Sequence, residues 1–134
     1  MESRGTILIV DDEDGPRESL KMILSPIYHL VDARDGFEAL KVIRERQIDL
    51  VTLDLRMPQM DGMVVLMAIK KFDPQVEVLI ITGYATLANA VELVQLGACG
   101  YLVKPFQVPR LLDEVAKAIE KKRTVEQLNR QLKG

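Results

Sequence analysis

The chain has 134 residues, of which 48% are hydrophobic and 28% charged. That length suits one compact domain, and the balance excludes a disordered or fibrous protein. The net charge is −2, and basic residues are dispersed except at Lys121, Lys122 and Arg123. No broad footprint for nucleic acid results, so direct contact with DNA or RNA by this domain is not expected.

The longest apolar runs, such as Val76 to Thr82, are too short to span a bilayer, and the N-terminus carries no apolar signal region. A cytoplasmic protein without membrane contact is expected. Cys99 is the only cysteine, which excludes an internal disulfide and a cysteine-built zinc site; it reads as an ordinary buried thiol.

Thr6 to Val10 is a short apolar run that stops at Asp11, Asp12, Glu13 and Asp14, the pattern of a buried strand entering a polar loop. Pro16 then fits the first turn of a helix whose apolar face is Leu20, Ile23 and Leu24, ended by Ser25 and Pro26. Tyr28 to Ala33 gives a second, weaker strand of edge type, with the sole histidine, His29, near its start and expected to be exposed. Asp35 and Gly36 turn into a second helix reaching Gln47, with Phe37, Leu40, Ile43 and Arg44 at helical spacing. Asp49 to Leu55 is the third strand, and Asp61 and Gly62 open a third helix with Val65, Leu66 and Ile69 inward. Val76 to Thr82 is the fourth strand, apolar enough to be covered on both faces. Thr86 to Gly97 reads as a helix with Leu87, Val91 and Val94 on one stripe and a glycine at its C-cap. Leu93 and Leu96 lie off that stripe and are expected to be partly exposed as a partner surface. Gly100 to Val103 is the fifth strand, and a last helix starts near Val108 and Pro109 and runs on toward the end of the chain. Strands alternating with helices predict an α/β fold with a parallel sheet covered on both sides, because parallel neighbours need a crossover.

In such a sheet ligands bind beyond the carboxyl ends of the strands. Those ends carry Asp11 and Asp12, then Asp54, then Thr82 and Gly83, then Lys104 and Pro105. Three clustered carboxylates repel one another unless a cation or protons intervene, and a magnesium ion prefers such oxygen ligands. Asp12 and Asp54 are the best candidates for direct ligands. An aspartate oxygen can attack phosphorus to form an aspartyl phosphate, which suits Asp54, while Lys104 and the Thr82 hydroxyl would hold the phosphoryl oxygens. Taken alone, Asp11, Asp12 and Asp14 fit helix capping as well as they fit a site. Thr82 and Lys104 taken singly are ordinary strand-end residues. Asp54 is harder to excuse, since an acid between Leu53 and Leu55 is costly to bury.

At these residues the chain resembles the receiver domains of bacterial two-component response regulators, of which the chemotaxis receiver is the simplest. The resemblance covers about residues 5 to 122 and rests on Ile7 to Asp12, Asp54 to Gly62, Ile81-Thr82-Gly83-Tyr84 and Tyr101 to Phe106. It implies a doubly wound, flavodoxin-like five-stranded sheet in the order 2-1-3-4-5. It also implies that Asp54 is the phosphoacceptor and that Asp11, Asp12, Asp54 and the Arg56 backbone carbonyl form a site for Mg2+, with Mn2+ as the alternative. Thr82 and Tyr101 are then the switch pair, Lys104 the phosphate-binding lysine, and the peptide bond before Pro105 cis. No position of the pattern departs from the family. The implied partners are a sensor histidine kinase, a second copy of the chain after phosphorylation, and an output domain. Phosphorylation would change the surface of the fourth helix, fifth strand and fifth helix. The segment from Thr82 to Glu92 is most similar to receivers of nitrogen-regulation-class transcriptional activators.

Beyond the receiver, residues 123–134 read as a helical linker or tail. Leu111, Ala118, Val125 and Leu132 recur every seven residues, with Leu128 at a second seam position but Glu114 and Lys121 at others, so a coiled-coil start and a polar tail both fit. Other functional classes are less well served. A hydrolase working through an aspartyl phosphate would place a second acid two residues after the nucleophile, where this chain has Arg56, so an enzyme in its own right is not expected. A plain protein-binding module of this fold would take no phosphoryl group from a small donor.

Overall fold

In the computed structural model the described residues are 4–83 and 86–133, with 87 and 88 described by their backbone alone. They form β1 (Thr6–Val10), α1 (Asp14–Leu24), β2 (His29–Ala33), α2 (Gly36–Glu45), β3 (Leu50–Leu53), α3 (Gly62–Phe72), β4 (Glu77–Thr82), α4 (Leu87–Gln95), β5 (Gly100–Val103) and α5 (Val108–Lys133). The five strands make one parallel sheet in the order β2-β1-β3-β4-β5, as expected.

Burial follows from that order. The inner strands β1, β3 and β4 are buried almost throughout, because helices cover both faces, whereas β2 and β5 at the edges are only partly covered. His29 on β2 is accordingly exposed. Side chains alternate between two cores. Leu8, Val10, Val51, Leu53, Val78 and Ile80 pack with α2, α3 and α4, while Ile7, Ile9, Leu50, Leu79 and Ile81 pack with α1 and α5. The sheet is thus doubly wound.

Local chemistry ends the helices where the sequence suggests. Asp35 and Asp61 cap α2 and α3 by accepting the N–H groups of Glu38 and Met63, each at 2.8 Å. Thr86 caps α4 through the N–H of Asn89 at 3.1 Å. Gly97 follows α4 with φ +101°, a conformation that glycine adopts without a Cβ penalty. No described helix is long and apolar enough to cross a membrane.

Two helical faces differ from expectation. On α2 Phe37 is exposed and Ala39 buried, so the inward stripe is Gly36, Ala39 and Ile43. On α4 the error is larger: Val91 and Val94 are 53% and 59% exposed, while Leu93 is fully buried and Leu96 packs half-buried on the same core. Leu93 is therefore not a partner surface. Asn89, Glu92 and Gln95 recur every third position and mark an outer face, but the apolar arc left on this nine-residue helix is wide, and its tilt on the sheet selects which part turns inward. Tyr84, Ala85 and the Leu87 side chain lie outside the described residues.

Candidate acidic site at the carboxyl edge of the sheet

The sheet hydrogen bonding continues one step past the strands, and this step builds the site. The N–H of Asp11 donates to the Ala33 carbonyl, and the N–H of Asp54 to the Val10 carbonyl, both at 3.2 Å; the N–H of Lys104 donates to the Thr82 carbonyl at 2.9 Å. Asp11, Asp54 and Lys104 are therefore held at the sheet rim by backbone bonds.

Their side chains converge. Ligand oxygens of Asp11, Asp12 and Asp54 all lie within 4.8 Å of one another. The Lys104 ammonium donates to Asp11 Oδ2 at 2.9 Å and to Asp54 Oδ2 at 3.0 Å, joining residues 93 and 50 positions away in the chain. Asp54 Oδ1 accepts the N–H of Arg56 at 3.0 Å, and Asp11 Oδ1 that of Glu13 at 3.0 Å. Burial works against the Lys104 ammonium, but its bonds to Asp11 and Asp54 outweigh it and hold this lysine above the ordinary range. Three carboxylates against one ammonium leave two negative charges. An all-oxygen donor set with that residual charge fits a hard divalent cation, and among the described residues it is the cluster that could hold one. A depression of about 650 Å3 lined by Asp12, Glu13, Leu55, Arg56, Met57 and Asp61 opens beside it.

The loop that carries Asp54 is braced from below. A Cβ on Gly62 would stand 2.6 Å from the Asp54 carbonyl oxygen and 2.6 Å from the Leu55 Cα, so only glycine lets α3 begin against this backbone. Its N–H donates to the Leu55 carbonyl at 3.0 Å. The Asp61-Gly62 pair therefore caps α3 and fits it beneath Asp54.

Of the residues singled out from sequence, Asp11, Asp12, Asp54 and Lys104 are brought together. Thr82 ends β4 fully buried, at the same rim. Tyr101 is on β5 but faces outward and is partly exposed. The Lys104–Pro105 bond is cis. Capping accounts for the acids of the first loop only in part: Asp14 sits in the first turn of α1, but the N-cap residue is Glu13, whose side chain makes no cap bond. Cys99 is partly buried, and burial pushes its thiol up to about 12.

Sequence reasoning missed Arg17. Its side chain is 4% exposed, bonded to the Asp11 carbonyl and paired with Asp14 and Asp32. The signal was present, since Arg17 precedes Leu20 and Leu24 on the inward stripe of α1.

Fold and site together define a doubly wound α/β protein with an acidic rim and a lysine. Residues 7–116 match the family described as the response regulator receiver domain. The chain belongs to that family of two-component signalling domains, whose members act in phosphorylation-dependent signalling and are not enzymes in the ordinary sense. It is similar to the transcriptional regulatory protein ZraR of Klebsiella oxytoca, 39% identical over 84% of this chain but only 26% of the relative. It also resembles the chemotaxis protein CheY of Bacillus subtilis (strain 168), 35% identical over 84% of this chain and 96% of the relative. Among solved structures, a CheY-like receiver domain protein from Methanospirillum hungatei JF-1 matches with a TM-score of 0.86 and 30% identity, covering 90% of this chain and 97% of that one. The chain thus spans about a quarter of the ZraR relatives and nearly all of a chemotaxis receiver.

Proposed function

We propose that this chain is a phosphorylation switch in which Asp54 takes a phosphoryl group from a phosphohistidine on a sensor kinase. The observation that carries the reading is the convergence of Asp11, Asp12 and Asp54, of which only Asp11 and Asp54 bond the one nearby ammonium, so that charge is left over for a divalent ion. Asp12, Asp54 and the Arg56 carbonyl would be its direct ligands, with Asp11 adding charge. Mg2+, or Mn2+ in its place, would neutralise charge on the transferring group. An Asp54 carboxylate oxygen bonds to phosphorus as the phosphorus–nitrogen bond of the donor breaks, and the departing imidazole keeps the electron pair. Lys104 would hold a phosphoryl oxygen, and the Thr82 hydroxyl would take another.

The modification adds about −1.5 to −2 charge and strong acceptor oxygens to the rim. Thr82 would move toward them and Tyr101 turn inward. That rearrangement biases the face made by α4, β5 and α5. Val91, Val94, Tyr101 and Val103, all exposed, are apolar residues available there for a second copy of the chain or an output domain, with Val108 at the start of α5 beside them in the chain. We place the receiver at residues 1–122 and a helical linker at 123–134. Leu111 and Ala118 of the seven-residue repeat are buried in the domain core, which leaves Val125, Leu128 and Leu132 for pairing in a coiled coil.

Intact mass after treatment with acetyl phosphate tests the first step. One phosphoryl group should appear with Mg2+, and none with a chelator or in Asp54→Asn. Labelling of Asp54→Asn equal to the wild type would overturn the assignment. Light scattering with and without a phosphate mimic tests the pairing, which should weaken on truncation after Lys121.

A further inference from the structure

We propose that Arg17 is a positioning residue for the acidic pocket: its buried guanidinium holds the peptide that joins Asp11 to Asp12. The inference rests on the reading of that pocket as a divalent-cation site. Nη1 donates to the Asp11 carbonyl at 3.0 Å, Nη2 to Asp14, and Nε stands 3.3 Å from Asp32 Oδ2 on β2. One planar group thereby ties the first turn of α1 to the end of β1 and to the neighbouring strand.

The bonding of Asp11 shows what this does. Its N–H donates to Ala33, its Oδ1 accepts from Glu13 and its Oδ2 from Lys104, and its carbonyl accepts from Arg17. The Arg17 bond fixes the plane of the Asp11–Asp12 peptide just where the chain turns from strand to helix. Rotation of that peptide would shift the Asp12 carboxylate relative to Asp54. A lysine could supply the charge but not the fork, because an ammonium is a point donor on a flexible stem.

Geometry and charge predict opposite signs, which makes the role testable. Removing a cation near a cation site tightens metal binding by Coulomb's law; losing the peptide anchor loosens it. Calorimetric titration of unphosphorylated protein with MgCl2, without phosphodonor, reads the difference. Arg17→Met and Arg17→Lys should both weaken Mg2+ binding by about tenfold, in the range found when groups supporting metal ligands are removed. Lys21→Met, which touches Asp32 at 3.3 Å but not the turn, should stay within about twofold. In the wild type, the Arg17 guanidinium N–H signals should exchange slowly and shift at the same Mg2+ concentration as the Asp12 amide. This measurement needs no variant to fold.

Tighter or unchanged binding in folded Arg17→Met and Arg17→Lys would overturn the positioning role, as would Arg17 signals that ignore Mg2+ while the Asp12 amide responds. Asp12→Ala separates the two readings. If it loses Mg2+ binding while the Arg17 variants keep it, only the role of Arg17 fails. If the wild type itself binds no Mg2+, the pocket reading fails and takes this one with it.

Discussion

The two rims of the sheet use similar residues to opposite ends. At the amino rim Asp49, just before β3, accepts the Lys122 ammonium at 3.0 Å and the Thr6 N–H at 2.8 Å, while the buried Glu77 of β4 has Lys121 at 3.8 Å. Each of these two acids has its own lysine, although Lys122 also reaches Glu126 on its own helix. At the carboxyl rim three acids lie together, and the one ammonium there, that of Lys104, bonds only Asp11 and Asp54. A matched set is complete and works as a strut, pinning α5 beneath the sheet; an unmatched set retains capacity for a further cation. Stoichiometry separates the candidate site from the brace.

The contrast breaks most sharply on magnesium. Saturation at a hundred times the dissociation constant should stabilise the wild type by about 2.7 kcal/mol in urea unfolding. Lys122→Met should keep that increment and Asp12→Ala lose it. If Lys122→Met lost it too, the rims would not be independent.

Gly62→Ala comes next. Its Cβ would overlap the Asp54 and Leu55 backbone, so a loss of about 2 kcal/mol is expected, within the usual range for overpacking. Phosphoryl incorporation from acetyl phosphate should fall with it, since the same backbone carries Asp54. Gly15→Ala, in the first turn of α1 where an added Cβ meets nothing within 4 Å, should leave phosphoryl incorporation unchanged and stabilise by up to about 1 kcal/mol.

Lys122→Met alone should cost about 1.5 kcal/mol, the scale of a hydrogen bond to a charged group. Equal phosphorylation rates in variant and wild type would mark the amino rim as purely structural.

The smallest effect is the pH dependence of that brace. Burial lowers the Lys122 pKa, but bonds to Glu126 and Asp49 outweigh it and raise the folded value above the ordinary 10.5. A group raised on folding stabilises fully below its unfolded pKa and loses this as pH climbs through the folded one. The difference between wild type and Lys122→Met should therefore be flat from neutral pH to about 10 and shrink above it. A difference that grows with alkalinity would contradict the geometry.

Much of this was legible in the order of residues. The short apolar runs of the inner strands, the helix starts at Asp35-Gly36 and Asp61-Gly62 and the glycine after α4 depend on local chemistry, and each appears where the pattern puts it. Asp11, Asp54, Thr82 and Lys104 were legible as successive strand ends. What escaped was directional. The buried face of α4, with Leu93 inward and Val94 outward, depends on how the helix lies on the sheet. The roles of Arg17 and Lys122 depend on acids supplied from other segments of the chain, Asp32 for one and Asp49 for the other.

The chain by itself determined the alternation of strand and helix and the residue types at each strand end, because periodicity and capping act over a few neighbours. Only the tertiary structure decided which helix face is buried, and it alone set three carboxylates within 4.8 Å of one another with a single ammonium among them. Charge balance at a rim is a sum over residues far apart in the chain, and it exists only once the strands lie side by side.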